Sequence, residues 1–282
     1  MANSTVTMKA GRTVRLDDGL SPLARWVTSG IGLTITRLVI LVCVLGGWEL
    51  ASGRLLSKYW LSSPSAIGLT LWGWVRDGSL WSHLGATLSE MTIGYVLGCL
   101  AGIGVGLLLG FMPNVYRVVI PFFGGLYCLP KVALAPLFVI FLGIDLGSKV
   151  ALVGITVFFL ILYSTLDGIN DIDRDLIQSL RLMGATKSEI SRKVLIPGCL
   201  RWVFTGMRIA VRYAFTAAIL GEVIASNRGI GYLIEANAGQ FDSTGVFAGV
   251  LVLVICSLTL SELLTRWEAS RGGGPGGLGP AS

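Results

Sequence analysis

The chain has 282 residues, 53% of them hydrophobic and only 13% charged, with a mean hydropathy of +0.76. Soluble domains carry about 25% charged residues, so this composition excludes a single water-facing domain and points to lipid as the solvent. The net charge of +6 does not call for nucleic acid, because membrane chains concentrate lysine and arginine on their cytoplasmic loops.

Residues 1–30 are polar, with Lys9, Arg12, Arg15 and Arg25. They lack the apolar segment and small-residue cleavage pattern of a removable signal, and are expected to form a cytoplasmic tail. The first apolar run, Leu33 to Ala51, is long enough for a bilayer that takes about 20 helical residues. A mixed connection follows, in which Trp72, Trp74 and Trp81 suit the headgroup level. Residues 31–82 are thus read as a first transmembrane helix and its outer connection.

A second span is expected from Leu84 to Phe111. Its glycines recur every fourth residue, at Gly94, Gly98, Gly102, Gly106 and Gly110. That spacing forms one face along which another helix can approach closely. A third region, Val118 to Gly143, contains Pro121, Pro130 and Pro136. Proline removes a helix donor and clashes with the preceding turn, and broken helices at membrane depth are tolerated where they are buried or line a cavity. The stretch from Leu129 to Pro136 is therefore a candidate cavity wall. Its one charge, Lys131, either faces a solute path or snorkels to an interface.

Leu146 to Thr165, Phe204 to Ala225 and Gly245 to Leu264 complete about six spans, giving an all-α polytopic membrane protein. With the N-terminus inside, fourteen lysines and arginines fall on inner pieces and five (Arg54, Lys58, Arg76, Lys149 and Arg228) on outer ones. The positive-inside rule then places both termini in the cytoplasm. Three cations remain at membrane depth: Lys131, Arg208 and Arg212. The last two are four residues apart on one helix face. Snorkelling accounts for Arg208; an electropositive patch shared with Lys131 is the alternative. Glu222 and Glu235 are read as interfacial charges that could shape an outer gate. His83 has no metal partner in sequence and is expected to cap or hydrogen-bond locally. The five cysteines form no CxxC or Cys/His cluster, so no metal site is expected. The segment 268–282 is rich in glycine and proline and is read as a disordered cytoplasmic tail.

The polar segment 167–201, between the fourth and fifth spans, is far longer than the usual connection. Leu176, Leu180 and Met183 share helical spacing, and Gly184 ends their segment as a C-terminal cap would. Thr186 and Glu189 have the spacing of a capping box that opens a second short helix. Pro197 is read as the end of this helix–turn–helix, before the fifth span.

This loop resembles the EAA signature of binding-protein-dependent ABC permeases. Gln178, Ser179 and Leu180 occupy the opening triplet, Gly184 follows after three residues, and Val194, Ile196 and Pro197 close it. The triplet departs from the pattern, with Gln178 where the family usually has an acidic residue. The resemblance runs from about His83 to Trp267. ALAPLFVIFLGI, SLRLMGATKSEISRKVLIP, FTGMRIA and SNRGIGYLIEANAGQFD look like the nitrate/sulfonate/taurine branch, which imports small anions and related solutes.

The resemblance implies a type I permease core over residues 83–267. Its loop would dock as a coupling helix on a separate ABC ATPase subunit through Gln178, Leu182, Met183, Gly184, Ala185, Thr186, Glu189, Arg192 and Pro197. It also implies a homodimer of permeases in the bacterial inner membrane and an extracytoplasmic solute-binding protein; the residues singled out above by the broken helix and the charges at membrane depth, Pro130, Lys131, Pro136, Arg208, Arg212 and Glu222, are the candidates for the translocation pathway. The sequence has no G-x-x-x-x-G-K-[ST] to cradle a phosphate, so ATP and magnesium are expected on the partner. No Ser/His/Asp or paired-carboxylate arrangement points to chemistry done by this chain. A secondary transporter would carry paired broken helices in its two halves, and only one broken segment is evident here. A non-transporting scaffold would leave the SNRGIGYLIEANAGQFD segment without a purpose.

Overall fold

The structure, a computed structural model, describes residues 5–7, 13–15, 30–54, 57 and 59–270. The chain divides into two units, Met1–Ala66 and Ile67–Ser282. In the first, a short antiparallel ribbon pairs β1 (Thr5–Thr7) with β2 (Thr13–Arg15), and α1 (Gly30–Ala51) is the first long apolar helix. Most of the polar N-terminal tail lies outside the described residues. The end of α1 is tied to the turn that follows it: the Trp48 indole donates to the Ser62 carbonyl at 2.8 Å, and the Glu49 carboxylate accepts from the Ser65 amide at 3.0 Å and its hydroxyl at 2.7 Å. The two Glu49 bonds occupy donors at the start of α2 (Pro64–Arg76), a helix that the mixed composition of this stretch conceals.

The second unit is built around α6 (Leu146–Asn170), which packs between α3 (Ser79–Phe111) and α9 (Ile196–Ile224). The glycine stripe on α3 is a packing seam. A Cβ at Gly94 would lie 2.6 Å from the Val153 side chain, at Gly98 2.6 Å from the Gly154 carbonyl, and at Gly102 2.8 Å from the Phe158 carbonyl. Gly106 and Gly110 continue the seam onto Thr165 and Ile169. In lipid no hydrophobic driving force holds helices together. Close backbone approach, with the dispersion contacts it gives, takes its place. On the other side of α6, α9 presents Ala210, Ala214 and Ala218, all fully buried. Gly206 meets Ser164 and Gly221 meets Leu152, so α9 runs antiparallel to α6.

The seam also fixes the number of crossings. Residue numbers rise together along α3 and α6, so these helices are parallel, and the chain between them must return across the whole bundle. It does so through α4 (Pro113–Cys128), a 3-10 turn (Lys131–Leu134) and α5 (Ala135–Leu142), bent by 88°. The bent pair is therefore one crossing, and with the five long apolar helices it makes six among the described residues.

Of the three prolines in this region, only Pro130 breaks the path. Pro121 sits inside α4, and Pro136 lies in the first turn of α5, where a missing N–H costs nothing. The short α10 (Ile230–Gly239) packs on α11 (Ser243–Ser270). Helix α11 continues to Ser270, into the first residues of the segment expected to be disordered; the rest of that tail lies outside the described residues. Below, the end of the bundle that carries residues 171–195 is the loop end, and the opposite end is the far end.

Candidate functional site

The loop end is assembled from two local motifs that hold a tight turn. Helix α7 (Arg174–Leu182) starts at Asp173, whose side chain accepts from the Asp175 amide. It stops at Gly184, whose φ of +87° lies in the left-handed region that side chains with a Cβ disfavour. The Gly184 amide donates to the Arg181 carbonyl and the Ala185 amide to the Leu180 carbonyl, both at 3.0 Å. This pair of bonds is the Schellman closure. The short α8 (Lys187–Ile190) then opens on a reciprocal capping box. The Thr186 amide donates to the Glu189 carboxylate at 2.9 Å, and the Glu189 amide returns a bond to the Thr186 hydroxyl at 3.3 Å. These bonds hold the Glu189 carboxyl below its usual value, the Thr186 backbone N–H contributing most.

The turn so built leaves Leu182 and Met183 at 89% and 82% exposure. Gln178, Thr186, Glu189 and Arg192 are exposed or half-buried around them, and so is Ala185. The loop stands off from the span ends over a cavity of about 870 Å³ lined by Leu109, Tyr116, Leu166, Ile177 and Ile190 among others.

Pro197 does not end the segment. Helical backbone is continuous from α8 into α9 through one π turn, Ser191–Leu195, closed by an Ile196 amide bond to the Ser191 carbonyl. A proline ring would strike the carbonyl four residues earlier in a regular α-helix, and the wider π turn lies immediately before the proline.

The pathway candidates do not form one group. Lys131 lies at the bend, its Nζ bonded to the Tyr127 carbonyl at 2.5 Å, 4.2 Å from the Tyr127 ring centroid and 5.8 Å from that of Phe159. It caps an aromatic shelf of Phe123, Tyr127, Phe158, Phe159 and Tyr163 shared by α4 and α6. The ammonium is thus held against rings beside the middle of α6. Pro130, at the break itself, and Pro136 are exposed. Arg212 is exposed on α9, and Arg208, one turn earlier, is half-buried.

Glu222 is elsewhere. Its neighbour on α6 is Lys149, ten residues and roughly 15 Å of helix from the Phe159 shelf. It is 1% exposed and accepts the Gly231 amide at 2.7 Å. Two further amides at the start of α10 are received in the same way: Ile230 by the Thr87 hydroxyl at 3.0 Å and Gly229 by His83 Nδ1 at 3.1 Å. His83 therefore bonds a partner 146 residues away, not a local one. Lys149, an outer-loop cation by sequence, is 2% exposed, and its Nζ donates to the carbonyls of Ile144 and Asp145. Glu90, 4% exposed, completes this far-end group. Sequence reasoning missed it, although Glu90 lies one turn before Gly94 on the seam face of α3.

Six crossings, glycine-seam packing and one projecting helical loop among the described residues define the class: a polytopic membrane protein of closely packed helices. Residues 94–270 match the family model described as the binding-protein-dependent transport system inner membrane component. The chain belongs to that family and is a permease component of an ABC importer.

Among similar proteins is the formylaminopyrimidine transport permease protein ThiX of Halalkalibacterium halodurans, 34% identical over 78% of this chain and 91% of its own length. The taurine transport system permease protein TauC of Escherichia coli is 31% identical over 88% and 92%. The riboflavin transport system permease protein RibX of Chloroflexus aurantiacus is 31% identical over 91% and 97%. An inward-facing structure of the MetNI methionine ABC transporter superposes with a TM-score of 0.58 at 21% identity, covering 71% of this chain and 97% of that one, which shows a shared fold.

Proposed function

We propose that this permease passes a small anion, such as a sulfonate, taurine or nitrate, across the bacterial cytoplasmic membrane by alternating access. In this reading a separate ABC ATPase supplies the energy and carries ATP and magnesium, two copies of the permease pair around the passage, and an extracytoplasmic solute-binding protein delivers the solute. Both termini and the loop end face the cytoplasm, as the excess of lysine and arginine there favours.

The observation that carries this reading is the pair Leu182 and Met183, held almost fully exposed on a rigid turn between two capped helices. Large apolar side chains presented in that way mark a protein-binding surface, and they sit within the segment that resembles the coupling loop. Gln178, Gly184, Ala185, Thr186, Glu189, Arg192 and Pro197 shape or surround the same surface. An anion is favoured by the three cations at membrane depth, Lys131, Arg208 and Arg212. The relatives' names span sulfur-containing acids and heteroaromatic compounds, so the solute is read from these residues and not from any one relative.

The test is co-purification of the tagged permease with a co-expressed ABC ATPase from the same organism, comparing wild type with the double variant Leu182→Glu, Met183→Glu. Both side chains are exposed, so the variant is expected to fold as before and to lose the ATPase. Full retention of the ATPase by the variant would sink the docking assignment. For the solute, Lys131→Gln is expected to slow uptake of a sulfonate by the reconstituted importer several-fold.

A further inference from the structure

Two carboxyls buried at the far end meet with too few donors between them. Glu90 on α3 and Glu222 on α9 are 4% and 1% exposed, and their side chains are within hydrogen-bonding contact of each other. One Glu222 oxygen is occupied by the Gly231 amide, and the Thr87 hydroxyl, which also neighbours this carboxyl, donates its proton to the His83 carbonyl at 3.2 Å. The other Glu222 oxygen, Oε1, and Glu90 Oε2 are buried without a donor. Two carboxylate oxygens cannot bond each other unless one of them carries a proton, and two like charges at such separation are not both ionised.

The surrounding charge gives the same count. Lys149 on α6 is the buried cation beside the pair, its ammonium held by the Ile144 and Asp145 carbonyls. One lysine against two glutamates leaves an excess negative charge, which is costly at this depth and which one proton removes. The other titratable or charged groups around the pair are Asp145 ahead of α6, His83 on α3 and Arg228 on the loop before α10.

We propose that Glu90 and Glu222 form a proton-binding dyad that holds one proton at neutral pH and locks the far end of the bundle. Glu90 carries the proton and donates it in a hydrogen bond to Glu222 Oε1. Glu222 stays ionised, because its Oε2 faces the amide at the start of α10, where the helix dipole favours negative charge. The fit around Glu222 is close: a Cβ at Gly229 would overlap its carboxyl, and one at Gly231 would lie 2.8 Å from its Cβ. A polar cavity of about 540 Å³, lined in part by Ser89, Glu90, Asp145, Lys149, Asn227 and Arg228, connects the site to solution. Under the proposed alternating access, on which this last step rests, opening the far end would part Glu90 from Glu222 and release the proton, so protons favour the closed far end.

The test is infrared difference spectroscopy of the purified full chain in lipid nanodiscs, which needs neither ATPase nor solute and so fails independently of the transport reading. The wild type at neutral pH is expected to show a carbonyl band of a protonated carboxylic acid that Glu90→Gln lacks, while the variant keeps its melting temperature. Glu222→Gln is expected to lose the same band, because Glu90 then ionises against Lys149. In the wild type the band should convert to carboxylate absorption as pH is raised, a reading that depends on no variant. Superimposable spectra of wild type and Glu90→Gln at neutral pH would overturn the dyad. So would a wild type with no acid band to titrate.

Discussion

The two ends of the bundle reach order by opposite routes. At the loop end the bonds that shape the turn are local: Gly184 to Arg181, Ala185 to Leu180, Thr186 to Glu189. At the far end two of the bonds that hold the start of α10 join residues distant in sequence, with Gly229 to His83 spanning 146 positions and Ile230 to Thr87 spanning 143. A terminus built from local bonds can move as a piece and keep its shape. A terminus built from contacts between three helices keeps its shape only while those helices stay together. A docking loop that transmits motion suits the first kind of construction, and a seal that opens and closes suits the second.

The largest expected effect tests what joins the two ends, the seam between α3 and α6. Gly98→Leu would drive its Cβ into the Gly154 carbonyl, 2.6 Å away. Backbone cannot yield there without separating the helices, so the variant is expected to give no monodisperse folded chain on size-exclusion chromatography. Gly104→Leu, on the same helix with nothing within 4 Å of its Cβ, is the control and should behave as wild type. Next comes the far end itself. Glu222→Ala removes the acceptor for the Gly231 amide and leaves that buried donor unpaired, at a cost of about 2 kcal/mol. The melting temperature of the whole chain is expected to fall, because α3, α9 and α10 all lose the contact together. A loss confined to α10 in hydrogen exchange would mean that the far end is not held as one piece.

What is legible in the sequence divides along the same line. The apolar runs, the glycine seam, the Gly184 turn and the Thr186–Glu189 box can be read because each depends on spacing within a few turns of helix. Lys149 cannot. Its position beside an apolar run suggests an outer-loop cation, and its burial depends on Glu90 and Glu222 arriving from other helices. His83 reads as a residue that bonds locally for the same reason. The prolines show a second limit: sequence marks where a donor is missing but not whether the backbone needs one there. Pro136 falls in a first helical turn, and Pro197 directly follows a π turn, so neither breaks the chain as Pro130 does. The helix at Pro64–Arg76 is hidden because its donors are satisfied partly by Glu49, upstream of the helix.

Two smaller effects sharpen the loop end. Gly184→Ala places a Cβ on a residue with φ +87°, which costs about 1 kcal/mol. The damage is expected to stay local: faster amide exchange over residues 180–190, an unchanged melting temperature for the bundle and, under the docking proposed above, weaker retention of an ATPase on the tagged permease. A drop in the global melting temperature as large as that of Glu222→Ala would show that the loop is not mechanically separate from the spans.

The smallest effect concerns the capping box and its response to pH. The Glu189 carboxyl is held below its reference value of 4.5, first by the Thr186 backbone N–H, then by the Thr186 hydroxyl, with Lys193 adding less. A carboxyl with a depressed value in the folded state stabilises that state at pH values above its unfolded value and loses this contribution as pH falls through the folded one. At neutral pH the amides of residues 186–190 should therefore exchange more slowly in wild type than in Glu189→Gln. As pH falls through the depressed folded-state value that difference should close, because a protonated Glu189 and the amide of the variant present equally uncharged acceptors to Thr186. Comparing the two chains at each pH cancels the intrinsic pH dependence of exchange. A rate ratio that stays constant from neutral to acid would mean that the charge of Glu189 contributes nothing to the turn, and that Gly184 alone sets its shape.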